Sequence, residues 1–152
     1  MKNISFACLA LFAVAFITQS CNQQPKVINT KPWDIKTTDT ITTESGLKYL
    51  VVKKSNNPIK AEKGMVVNLH YTGFLLDGKV FDSSIERRNP ISFELGTGSV
   101  IKGWDEGIAL MNIGDKYRLI IPADLGYGTR GAGSDIPPNT TLLFDVELVN
   151  VR

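Results

Sequence analysis

Tyr71, Phe81, Asp82, Trp104, Tyr127 and Phe144 are the residues of this chain whose types and grouping suggest chemistry. They lie in VNLHYTGFLLDGKVFDS from Val67 to Ser83, at Trp104, in DLGYG from Asp124 to Gly128, and in LFDVELV from Leu143 to Val149. Aromatic rings predominate, one carboxylate accompanies them, and no nucleophile paired with a base or cluster of metal ligands stands out. An aromatic pocket of that kind lacks acid/base machinery. It suits a reaction in which no covalent bond is made or broken, and it calls for no metal and no cofactor.

Short strands must position these residues. Leu47, Tyr49 and Val51 alternate with more polar neighbours, as do Met65, Val67, Leu69 and Tyr71, which is the pattern of half-buried strands. Ile91, Phe93 and Leu95 predict another, Tyr117 to Ile121 is a compact apolar run closed by Pro122, and Leu142, Phe144, Val146 and Leu148 line one face of the last. Asp77-Gly78 is a tight-turn signal, and Asn56-Asn57-Pro58 marks a looser connection. Over Trp104 to Met111 the spacing changes: apolar residues fall at 104, 108 and 111, a helical stripe, with Asp105 and Glu106 in the first turn and Gly114 as a C-terminal stop. One short helix cannot bury its stripe alone. The expected fold is α+β, an antiparallel sheet of five or six strands curled around one short helix.

The chain of 152 residues, 43% hydrophobic with a formal net charge of +2, fits one domain and leaves a remainder at the N-terminus. Near charge balance from Ser45 onward recommends no nucleic-acid partner. Lys2 followed by the apolar run Ile4 to Ile17 reads as an export signal, too short to span a membrane. It ends in Thr18-Gln19-Ser20-Cys21, which resembles a bacterial lipoprotein signal, with cleavage before Cys21 and lipid on its sulfur; an ordinary cleaved signal is the alternative. Cys8 lies in the segment to be removed, so no internal disulfide would remain. Residues 1–20 are thus expected as signal, 21–44 as a polar tether and 45–152 as the folded domain. Within the tether, Trp33 and Ile35 are costly to leave in water and could instead pack on the domain.

The segments VNLHYTGFLLDGKVFDSS, FELGTGSVIKGWDEGIALM, GDKYRLIIPADLGYG and IPPNTTLLFDVELV resemble the FKBP family of macrolide-binding peptidyl-prolyl isomerases across nearly all of residues 64–151. SGLKYLVVK looks like the exported, macrophage-infectivity-potentiator type of bacterial member. The resemblance implies an FKBP-like fold and prolyl isomerase activity. It places Tyr71, Phe81, Asp82, Phe93, Val100, Ile101, Trp104, Tyr127, Ile136 and Phe144 at ligand-contacting positions, with Trp104 as the floor and the Ile101 N–H donating to a bound carbonyl. Ile91 departs from the family, standing where many relatives have an aromatic ring, and so does Gly131-Ala132-Gly133-Ser134-Asp135, which replaces a more apolar flap.

Rotation about an X–Pro bond is chemistry such a pocket can do. Its barrier, about 18–20 kcal/mol, is the loss of amide resonance, and the planar ground state is more polar than the twisted state. Phe81 and Phe144 would hold the proline ring by apolar contact, while Tyr127 and the Ile101 N–H hold neighbouring carbonyls so that the amide is bound part-twisted. Asp82, Tyr127 and Phe144 are the expected catalytic residues, with Asp82 also readable as a turn acceptor and Phe93 as plain core. His70 alternates away from Tyr71 and is expected to point out of the pocket. Lys53-Lys54 and Arg87-Arg88 read as solvated faces. The expected partners are proline-containing unfolded or exported polypeptides, with macrolides as inhibitors and a membrane reached through Cys21. That places the domain in a bacterial envelope, in the periplasm. A non-catalytic module or chaperone gripping proline segments is the rival reading.

Overall fold

The computed structural model describes residues 32–35 and 39–152; the expected signal segment and Cys21 lie outside the described residues. Seven strands form one sheet: β1 (Ile41–Thr42), β2 (Lys48–Lys53), β3 (Val66–Phe74), β4 (Val80–Ser83), β5 (Ile91–Glu94), β6 (Lys116–Ile121) and β7 (Leu142–Val151). Their order is β1-β2-β6-β7-β3-β4, with β5 also paired to β3, and every pairing is antiparallel. One α-helix, α1 (Lys102–Ile108), lies between β5 and β6. This is the expected α+β architecture, with more strands than the five or six expected.

The additions have physical reasons. Two-residue β1 is too short to show alternation, and it begins before the expected domain boundary at Ser45. Three of the four residues of β4 are equally half-buried, so it carries no two-residue period. The β3–β4 connection is the turn expected at Asp77-Gly78: Gly78 takes φ 86°, its N–H donates to Leu75 O, and Lys79 N–H donates to Asp77 Oδ1.

The helix is displaced from expectation. It spans Lys102–Ile108 rather than Trp104 to Met111, and Gly114 with φ 87° serves the turn before β6 rather than capping the helix. The predicted stripe is nonetheless buried, with Trp104 5%, Ile108 0% and Met111 0% exposed. A second stripe explains how closely the helix lies on the sheet. A Cβ added at Gly103 would sit 2.6 Å from Ile121 Cγ2, and one at Gly107 2.8 Å from Leu119 Cδ1, so these glycines form the face laid on β6.

Strand alternation then sorts the two faces of the sheet. Val67, Leu69, Tyr71, Tyr117, Leu119, Phe144, Val146 and Leu148 join Trp104 and Ile108 in one core. The other face carries His70, Thr72, Lys116, Arg118, Asp145 and Glu147, paired across β3, β7 and β6. Trp33 packs on that second face: its N–H donates to Asp145 Oδ2 at 2.7 Å. Trp33, within the segment expected as tether, therefore contacts the domain. Lys54 is not a plain solvated residue either, for it binds the fully buried Asp115 at 2.6 Å.

Candidate active site

A cavity of about 230 Å3 opens on the core side of the sheet, walled by Tyr71, Phe81, Asp82, Ile91, Ser99, Val100, Ile101, Trp104, Tyr127 and Phe144. β3 supplies Tyr71, β4 supplies Phe81 and Asp82, β7 supplies Phe144, and α1 with the turn before it supplies Val100, Ile101 and Trp104. Tyr127 follows a single 3-10 turn at Ala123–Leu125 and lines the cavity while remaining 40% exposed. Trp104 is the hub. Tyr71 meets it edge-on with ring centroids 4.8 Å apart, Phe144 meets it edge-on at 5.2 Å, and Phe81 meets Phe144 edge-on at 5.5 Å. These perpendicular contacts suit the ring quadrupoles and fix the walls against one another.

Eight of the ten site residues expected from sequence share this cavity. Phe93 and Ile136 do not line it. Phe93 packs on Trp104 from behind at 5.9 Å, and Ile136 is core at 6% exposure, paired with Ala132 at the base of the 131–135 loop. Ile91 takes a place on the wall instead, and Ser99 joins it.

The polar side of the pocket contains a residue the sequence reading set aside. Arg87, read as solvated, donates from Nη1 to Asp82 Oδ1 and from Nη2 to the Tyr71 hydroxyl at 2.8 Å, while that hydroxyl donates to Asp82 Oδ2. Its guanidinium also lies over the Tyr71 ring, 5.6 Å from the centroid. The only sequence signal was an opposite charge five residues after Asp82. Burial, then the bond to Asp82, pushes the Tyr71 phenol up to about 12. Burial first and the Asp82 charge second also raise Tyr127.

Both oxygens of Asp82 are therefore engaged and its charge is matched, so it is poorly placed to take a proton from a ligand. His70 lies on the opposite face, with Nδ1 3.1 Å from Ser84 Oγ. At the pocket floor, the Trp104 Nε1–H is buried without an acceptor among the described residues. Ile101, extended at φ −61° and ψ 146°, precedes the helix; its carbonyl accepts from Trp104 N–H, and its own N–H donates to no group among the described residues. The arrangement offers apolar walls, with the Tyr127 hydroxyl and the Ile101 N–H among its polar groups. It can hold a ring and orient a carbonyl; it has no evident route for proton transfer.

Residues 57–149 match the family model described as FKBP-type peptidyl-prolyl cis-trans isomerase. The chain is 54% identical over 110 residues to FK506-binding protein 2 of Candida glabrata, covering 70% of this chain and 81% of that protein. It is 54% identical over 92 residues to an FK506-binding protein of Neisseria meningitidis, covering 60% and 84% respectively. Among solved structures, FkpA from Escherichia coli aligns with a TM-score of 0.70 at 42% identity over 77% of this chain, which spans 53% of FkpA's length. With this pocket and this agreement over most of its length, the chain belongs to the FKBP-type peptidyl-prolyl cis-trans isomerase family.

Proposed function

We propose that this prolyl isomerase acts on exported polypeptides while held to a membrane by lipid on Cys21, in the envelope of a bacterium. What supports the catalytic part of this reading is the engagement of Asp82 by Tyr71 and Arg87 at the edge of an aromatic cavity. Such a site lowers the rotational barrier by binding. The proline ring sits against Trp104, between Phe81 and Phe144, and the amide leaves water for a surrounding in which the polar planar form loses more than the twisted form. Tyr127 and the Ile101 N–H hold carbonyls on either side, so binding energy from the flanking chain favours the twisted geometry. Tyr71 and Arg87 hold the Asp82 carboxylate in one orientation at the pocket edge. The wall of Ile91, Val100 and Ile101 favours a large apolar residue before the proline. Macrolides would compete for the same cavity as inhibitors.

The envelope part rests on the run from Lys2 through Ile17 to Cys21 and on the polar stretch that follows it. Two measurements test the proposal. The full chain should accelerate isomerisation of Leu–Pro and Phe–Pro peptides over Glu–Pro; a rate equal to the uncatalysed one would make it a proline-binding module instead. Protein from cells should partition into detergent with the mass of a lipidated Cys21, and unchanged partitioning of Cys21→Ser would remove the anchor.

A further inference from the structure

The face of the sheet opposite the pocket holds a site of its own. Arg118 and Asp145 face each other across β6 and β7, with Nε donating to Oδ1 at 2.6 Å and Nη2 to Oδ2 at 2.8 Å. Asp145 is 1% exposed and the Arg118 side chain 16%, with its guanidinium 5.0 Å from the Phe74 ring centroid. This fixed pair meets the backbone of one residue at both of its polar groups: Trp33 N–H donates to Asp145 Oδ2 at 2.7 Å, and Arg118 Nη2 donates to Trp33 O at 2.8 Å. The Trp33 ring lies 5.4 Å from Lys116 Nζ, which is itself held at 2.7 Å by Glu147. The ring also walls a cavity of about 140 Å3 shared with His70, Thr72 and Ile85.

We propose that Trp33 is a latch, docking the N-terminal segment in cis on the back of the sheet and holding the domain by the face opposite its pocket. A segment merely resting on a surface would make scattered side-chain contacts. Here one residue has its N–H, its C=O and its ring each matched by a separate partner, and two of those partners are set in advance by strand register. Charge-assisted bonds to a buried pair are the stronger kind, and a ring beside an ammonium adds a further attraction.

One consequence rests on the proposed anchor at Cys21. Trp33 is twelve residues along the chain from Cys21, whereas Ile41 in β1 is twenty. At about 3.3–3.6 Å per residue the latched domain reaches at most about 43 Å from the anchor, against about 70 Å if only β1 held the chain.

Nuclear magnetic resonance on the full chain tests the latch independently of any lipid. The Trp33 amide should exchange with solvent at least tenfold more slowly than in an unstructured chain. His70, the one histidine of the sequence, reports the same cavity, so its ring-proton signals should move in Trp33→Ala and stay near their place in Trp33→Phe. Isomerase activity on a short peptide should be unchanged in both variants, since the pocket lies on the other face. A Trp33 amide exchanging at the unstructured rate, or His70 signals indifferent to Trp33→Ala, would overturn the latch. Cys21→Ser partitioning tests the anchor separately.

Discussion

Replacing Gly73 by alanine should disable the pocket while leaving the domain folded. A Cβ at this position would lie 2.7 Å from Phe144 Cε1 and 2.7 Å from Phe81 Cε2 and Cζ. Carbon atoms in contact prefer about 3.5–4.0 Å, so the rings must retreat by roughly 1 Å. Phe144 is 3% exposed and wedged edge-on against Trp104, which leaves it little room. Phe81 is half-buried and borders the cavity, so it is the ring that gives, and it swings into the site. The backbone itself does not resist, because Gly73 has no positive φ. Alanine in a strand interior gains about 0.5–1 kcal/mol over glycine, set against about 1–3 kcal/mol for overpacking. The net cost to stability is then about 0–2.5 kcal/mol. A reacting geometry is less forgiving: displacement by about 1 Å can cost about 100-fold, equivalent to about 2.7 kcal/mol of transition-state stabilisation. Isomerisation of a Leu–Pro peptide followed at low temperature, where the uncatalysed reaction takes minutes, should show kcat/KM lowered about 10- to 100-fold. Thermal unfolding of the same sample should show Tm lowered by no more than about 15 °C. A folded Gly73→Ala variant with wild-type kcat/KM would refute the claim that these two walls shape the site.

Asp82→Ala and Tyr127→Phe should each lower kcat/KM in protein shown to be folded; full activity in both would sink the assignment of the polar groups. Phe144→Ala should lose activity and about 3–5 kcal/mol of stability, read by urea unfolding. The Tyr71 phenol, raised to about 12 in the folded protein, stabilises the fold fully below the ordinary tyrosine pKa of about 10. That contribution, on the order of 2–3 kcal/mol, is lost as pH rises from about 10 toward 12. Stability of the wild type should therefore fall more steeply over that range than that of Tyr71→Phe, and equal slopes would contradict it. Turnover should be flat between about pH 6 and 8, where acid/base catalysis would leave a step or a bell; a step that vanishes in His70→Leu would show that the imidazole reaches the reaction.

Long strands were legible because burial on one face writes a two-residue period into them. β3 and β7 carry that period in Val67, Leu69 and Tyr71 and in Phe144, Val146 and Leu148, and they pair along most of their length. Inward-facing is a weaker property than pocket-lining, however: the resemblance put Phe93 at a ligand-contacting position, while its alternative reading as core is the one its contact with Trp104 matches. On β5, Ile91 pairs with Leu69, close to Tyr71, while Phe93 pairs with Val67, farther from the site. The period states the face and is silent about position along it. Arg87 escaped for another reason: a chain reversal brings it to Tyr71, with Asn89 N–H donating to Ser84 O and Arg88 at φ 53°. No apolar period runs through such a turn, so the pairing of Arg87 with Asp82 is visible only in three dimensions.

The same alternation ties the two faces together. Phe144 and Asp145 are neighbours on β7, and Tyr71 and Thr72 are neighbours on β3, paired so that Thr72 stands opposite Asp145 and Gly73 opposite Phe144. One face of these few residues closes an apolar pocket; the other holds a buried ion pair and the docked Trp33. The charges are kept where a rotation reaction has no use for them, and the one carboxylate that borders the pocket is matched by Arg87 and Tyr71. An unmatched Asp82 would draw water and counter-charge into the cavity and blunt the difference in solvation between planar and twisted amide. On this reasoning Arg87 acts by neutralising and orienting Asp82 at the pocket edge. Its removal should then impair turnover even though no atom of its side chain need touch the proline.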